Sequence, residues 1–192
     1  MPPDTNLAAL PRLRLRRLGE DDIPALFDLY SDAETTRYLA RPRMTERAQA
    51  EEMLAKIHAG YADGSSLQLA IERRDDGAFL GVCLLFNFVE RGLRAEIGYI
   101  LGRAHWSRGY VSEALPALID HGFEALGLNR LEADIDPRNA ASARVLMRLG
   151  FVQEGLLRER WVVRGEPSDS ALYGLLREDW LEAAPRRSAA RR

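Results

Sequence analysis

Residues 94–114, RAEIGYILGRAHWSRGYVSEA, read as a strand over 94–101 that passes through a tight, glycine-bearing turn directly into a helix. A strand feeding a helix in this way must lay that helix back against its own sheet, which restricts the chain to a fold containing a crossover unit. The turn is also an anion site. At a helix start the first backbone N–H groups have no intrahelical partner and the macrodipole collects partial positive charge there, so a phosphate meets several donors at once. Gly109 lets the backbone approach such a ligand closely. Further on, DPRNAASARVLMRLGF supplies a second strand end, a helix opened by Asn139 and a glycine stop at Gly150, followed by Phe151.

The surrounding chain fits an antiparallel meander that leads into this unit. Residues 1–11, with Pro2, Pro3 and Pro11 and no periodicity, read as a loose leader, with order beginning near Leu13. Leu13, Leu15 and Leu18 alternate with arginines as a first strand. Asp21 then caps a short helix with Pro24 in its first turn. Ser31-x-x-Glu34 matches a capping box and predicts another turn of helix, and the segment after Thr45 predicts a third helix ending by Gly64. Strands are expected at 66–72, 79–89 and 94–101, then a helix with Val111, Leu115, Leu118, Ile119, Gly122 and Leu126 at helical spacing. Pro116 removes a hydrogen bond to the Ser112 carbonyl inside it. A strand at 130–136, the Asn139 helix, a strand from Phe151, a hairpin at Arg164-Gly165, a strand to Leu176 and a short helix at 177–184 complete the chain. The tail PRRSAARR, residues 185–192, reads as a disordered basic extension.

A length of 192 residues suits one domain. With 27 basic and 29 acidic residues the net charge is −2, which argues against general nucleic-acid binding, where affinity comes from neutralising phosphates. The single cysteine, Cys83, lies in the apolar run FLGVCLLFNF and has no internal disulfide partner, which fits a reducing, cytoplasmic setting. No apolar stretch is long enough to span a bilayer, so no membrane partner is expected. His58, His105 and His121 are far apart in sequence and show no ligand spacing, so no metal is expected.

The two helix starts resemble those of the GNAT superfamily of acyl-CoA-dependent N-acetyltransferases, and the wording is most similar to its RimJ/RimL-like branch, which acetylates N-terminal amines of ribosomal proteins. The family's pyrophosphate loop, Arg/Gln-x-x-Gly-x-Gly/Ala, falls here on Trp106, Ser107, Arg108, Gly109, Tyr110 and Val111, of which Gly109 matches strictly. Trp106-x-Arg108-Gly109-Tyr110, followed by Glu113 and Ala114, is similar to the variant of this branch. Asn139-x-x-Ser142, Leu149-Gly150-Phe151, Glu154-Gly155, and Asp169 with Tyr173 also fit its pattern. The resemblance implies an α/β GNAT fold over residues 12–184: a mixed, mostly antiparallel sheet with helices on both faces, and coenzyme A (CoA) bound where adjacent parallel strands splay. It implies acetyl-CoA as donor, with the Arg108–Ser112 backbone on the pyrophosphate, Tyr99, Ile100 and Leu101 beside the pantetheine arm, and Asn139 bonding that arm.

Acetyl transfer to an amine needs a held donor, a neutral amine and a proton for the departing thiolate. Glu96, sharing a strand face with Gly98 and Ile100, is the first choice as base, acting through water; Glu132 and Asp134 are alternatives, and each also fits a merely solvated strand face. A free α-amine has a pKa near 8 and a lysine near 10.4, a gap of about 3 kcal/mol in deprotonation, so an N-terminal acceptor tolerates a distant base. The tyrosine that many relatives use as acid is absent, its place falling on Leu146. Ser142 is the substitute that the branch pattern implies, although a serine in a first helical turn also serves as a cap. Trp161 and Asp169 flank the loop that, by resemblance, borders the acceptor cleft.

These readings predict transfer of an acetyl group from acetyl-CoA to a primary amine, first the N-terminus of a protein of ribosomal type. The alternatives are a small amine such as an antibiotic, toxin or metabolite, or an acyl-CoA-binding module without catalysis. A monomer or a homodimer is expected.

Overall fold

The computed structural model describes residues 10–163 and 165–183. The chain runs β1 (Leu13–Arg17), α1 (Ile23–Ser31), α2 (Ala48–Asp63), β2 (Leu67–Arg73), β3 (Phe79–Val89), β4 (Arg94–Leu101), α3 (Tyr110–Asp120), β5 (Arg130–Ile135), α4 (Ala140–Arg148), β6 (Val152–Val163), β7 (Glu166–Leu176) and α5 (Arg177–Glu182). The seven strands form one sheet in the order β1-β2-β3-β4-β5-β7-β6. Every neighbouring pair is antiparallel except β4 and β5.

Strand alternation gives the sheet two apolar faces. On β4, Ala95, Ile97 and Leu101 point into one core with Leu115 and Leu118 of α3, Leu146 of α4 and Trp180 of α5. Ile100 points the other way, into a second core with Leu26 of α1 and Leu54 of α2. The period of two in the strands and the helical spacing on α3 thus select opposite sides of one layer. Cys83 on β3 is fully buried in the first core, and burial pushes its thiol up to about 12.

One buried ionic group ties β1 to β2 and α1. Arg14 and Arg16 both engage Glu72, and Arg16 forks onto Asp22 through two bonds of 2.7 Å. Burial raises the Asp22 carboxyl, but the Arg16 bonds and the Gly19 N–H outweigh it and hold the group below its ordinary value.

Three expectations change. Leu10, assigned to the leader, is buried at 5% exposure, and its carbonyl accepts from Arg74, so order starts earlier than Leu13. Ser31 ends α1 instead of capping a new helix. Asp32 organises the next turn, its carboxylate accepting the Thr35 N–H at 2.6 Å and its carbonyl the Thr36 hydroxyl at 2.7 Å. The helix after the 94–101 strand remains α-helical through Pro116 and then widens into a π turn over His121–Ala125, where the Leu126 N–H reaches the His121 carbonyl. The leader before Leu10 and the basic tail lie outside the described residues.

Candidate active site

The parallel pair β4–β5 stays in register only from Arg94↔Arg130 to Glu96↔Glu132. Beyond that pair β4 continues to Leu101 beside β3 alone, so the sheet forks at its middle. Parallel strands send their chains out at the same end, and both helices that follow them begin beside this opening. A cavity of about 380 Å³ lies there. It is lined from β4 by Tyr99, Ile100 and Leu101, from the next turn by Trp106, Ser107, Gly109, Tyr110, Val111 and Ser112, and from α4 by Asn139 and Ser142.

The turn is shaped by two left-handed residues, Ser107 (φ 58°) and Gly109 (φ 78°), and no side chain caps the start of α3. Its first N–H groups are therefore available to a ligand. Trp106 closes the turn, the indole N–H donating to the Leu101 carbonyl at 2.8 Å, which accounts for an aromatic residue where the family frame has a polar one. Arg108 is exposed and does not line the cavity; its carbonyl accepts from Arg12 at 3.1 Å, while Arg12 also binds Glu113 of α3 at 2.7 Å. At α4, Asn139 Oδ1 accepts the Ser142 N–H at 3.1 Å, an N-cap that leaves its Nδ2 free to serve a ligand. The Ser142 hydroxyl lies 2.6 Å from that of Tyr99.

The three candidate carboxylates differ in their partners. Glu132 is engaged by both Arg94 and Arg130, the latter at 2.8 Å. Asp134 receives Arg160 at 3.1 Å, the Trp161 indole at 3.2 Å and the Ser170 hydroxyl. Glu96 accepts from Asn87 Nδ2 at 3.0 Å and makes no ion pair among the described residues. It does not line the cavity but stands at the last rung before the fork, on the strand face that Ile100 carries into it.

Trp161 and Asp169 do not line this cavity. Between Leu157 and Trp161 the β6–β7 register shifts, and Asp169 Oδ1 takes the N–H of the bulged Glu159 (φ 49°) at 2.8 Å. Sequence reasoning missed the wall contributed by Glu34, Thr35, Tyr38 and Leu39, between α1 and α2. The apolar pair Tyr38-Leu39 within a polar, aperiodic stretch was the available signal. It also missed His105, whose Nδ1 is buried without a hydrogen-bond partner.

The Acetyltransferase (GNAT) domain family matches residues 12–152. The chain belongs to the GNAT acetyltransferase family. This acetyltransferase is 37% identical to the uncharacterized N-acetyltransferase p20 of Bacillus licheniformis over 88% of its own length and 95% of that protein. It is 27% identical to the [ribosomal protein uS5]-alanine N-acetyltransferase of Escherichia coli, covering 88% and 90% of the two chains. The solved structure of Mycobacterium smegmatis RimJ in complex with CoA-disulfide superposes with a TM-score of 0.84 at 28% identity, over 94% of this chain and 90% of that one. The acetyltransferase thus lies in the RimJ/RimL-like branch, and its sheet has the mixed, mostly antiparallel GNAT form. Among the described residues no helix is long and apolar enough to cross a membrane.

Proposed function

We propose that this acetyltransferase moves the acetyl group of acetyl-CoA onto the N-terminal α-amine of a protein, with both substrates bound together. The observation that carries the reading is the fork cavity, where an uncapped helix start and a half-capped one face each other across the open edge of β4. The dimensions and donors suit the group. The N–H groups of Arg108–Ser112 and the Ser112 hydroxyl take the pyrophosphate, and Asn139 Nδ2 with the open backbone of Tyr99–Leu101 takes the amide-bearing arm. One N–H of that β4 segment faces the thioester carbonyl oxygen, where negative charge develops.

Glu96 removes the amine proton. Ile100 lies four residue steps along the strand, about 13 Å at roughly 3.3 Å per step, so the proton travels through water. Its freedom from arginine supports this choice over Glu132 and Asp134, whose carboxylate oxygens are already taken up by guanidinium groups and so are less open to a water or an amine. Ser142 faces the sulfur as the thiol departs. Trp161, fixed by Asp134, and Asp169, which holds the β6 bulge, shape the acceptor's approach.

Similarity to the [ribosomal protein uS5]-alanine N-acetyltransferase favours a protein acceptor. The test is kcat/KM with acetyl-CoA and a Ser- or Ala-starting peptide, its N-blocked lysine-containing twin, an aminoglycoside and a polyamine. A preference of tenfold or more for the free terminus, about 1.4 kcal/mol in transition-state binding, is expected. A faster aminoglycoside or polyamine overturns the acceptor, and CoA binding without turnover of any amine overturns the enzyme reading in favour of a binding module.

A further inference from the structure

Ser142 has two fixed points. Its N–H is held by Asn139, and its side-chain oxygen lies 2.6 Å from the hydroxyl of Tyr99, which crosses the fork from β4 to α4. Tyr99 lies 3.4 Å from the Ser142 carbonyl, too far to compete for its single proton. A phenol is a much stronger donor than an aliphatic alcohol, so the 2.6 Å contact orders the pair with Tyr99 donating and Ser142 accepting. That leaves the serine proton unspent, and both residues line the cavity.

We propose that Tyr99 is a positioning residue: its hydroxyl fills the lone pair of Ser142 Oγ and turns the serine O–H toward the sulfur of the departing thiol. The inference rests on the acetyl-transfer reading above. When nitrogen bonds the acetyl carbon, the carbon–sulfur bond breaks and its electron pair stays on sulfur. Glu96 has by then taken the proton that made the amine an ammonium; Ser142 Oγ–H gives its proton to sulfur and recovers one from the second hydrogen that nitrogen sheds on becoming an amide, so no outside acid is consumed. Tyr99 keeps its own proton throughout. Burial pushes its phenol up to about 12, against the pull of Ser142 and the Arg148 charge, far above a thiol's ordinary value near 8.5. Removing one hydroxyl at Tyr99 leaves the ring in place and subtracts only the orienting bond.

The experiment is a double-mutant cycle in steady-state acetyl transfer, with Tyr99→Phe, Ser142→Ala and both together. Tyr99→Phe is expected to lower kcat about tenfold, the scale of one hydrogen bond, with KM for acetyl-CoA within about twofold. The double variant is expected to match Ser142→Ala, because Tyr99 acts only through that hydroxyl. Calorimetric CoA titration and a thermal melt accompany each variant and are expected to be unchanged for Tyr99→Phe. Additive losses in the double variant, a kcat equal to the parent in Tyr99→Phe, or a loss of CoA affinity there overturn the positioning role. Absence of turnover in the parent itself overturns the acetyl-transfer reading, and this inference with it.

Discussion

The two walls of the fork are made of different material. On the proposed donor side the groups on offer are backbone: the Ser107–Ser112 turn, the start of α3 and the open edge of β4. The carboxylates of the proposed acceptor side are side chains that lie outside the cavity lining, Glu132 and Asp134 tied into arginine contacts and Glu96 left outside them. A backbone cradle depends on dihedral angles and tolerates changes of side chain, which is why Trp106 and Val111 stand in the pyrophosphate frame without closing it. A side-chain wall depends on which charges remain unpaired, and a single substitution redraws it.

The contrast is broken most easily at Gly109, where φ is 78° and a side chain is strained whatever space surrounds it. Gly109→Val is expected to abolish the stabilisation by CoA, about 2.7 kcal/mol at a hundred times the dissociation constant; a thermal shift equal to the parent's would place the pyrophosphate elsewhere. The acceptor wall is sharpened by Glu96→Gln, expected to cut kcat/KM about a hundredfold near pH 6.5, in the range of general-base effects. The deficit shrinks as pH nears the acceptor amine's own pKa, where no base is needed. A pH-independent ratio of variant to parent moves the base to Glu132 or Asp134.

Next in size is a control away from both walls. Asp22→Ala strands Arg16 and is expected to destabilise the fold by about 2 kcal/mol at pH 7, read by urea unfolding, with CoA affinity unchanged. Because the folded-state pKa of Asp22 is depressed, its contribution is present above the unfolded value near 3.9 and is lost as pH falls through the lower folded value. The parent and variant curves should therefore converge in acid. The smallest effect is expected at the rim. Trp161→Ala should raise KM for a peptide acceptor about threefold, under 1 kcal/mol, while the KM for acetyl-CoA stays put; a larger change in the latter would connect β6 to the donor side.

Legibility in the sequence follows the same division. The strand at 94–101 and the helix opened by Asn139 were readable because alternation, a cap and glycine stops are local signals, and the donor wall is built from such local pieces. The turn after Ser31 was misread because a capping-box pattern also fits a helix end, and Asp32 won the local hydrogen bonds. The long-range partners of Glu132 and Asp134 were invisible because Arg94 and Arg160 reach them from strands 38 and 26 residues away in sequence. Leu10 was lost to a leader because a burial site made by distant strands leaves no periodicity in a short segment.

The buried Cys83 has a practical bearing on how the Glu34–Leu39 wall can be watched. With its thiol pushed up to about 12 inside the first core, it is nearly all protonated at neutral pH and out of reach of alkylating dyes and mild oxidants. A single cysteine introduced on the exposed Glu34 would be the one accessible sulfhydryl among the described residues, and a fluorophore attached there would report donor and acceptor arrival from a silent background.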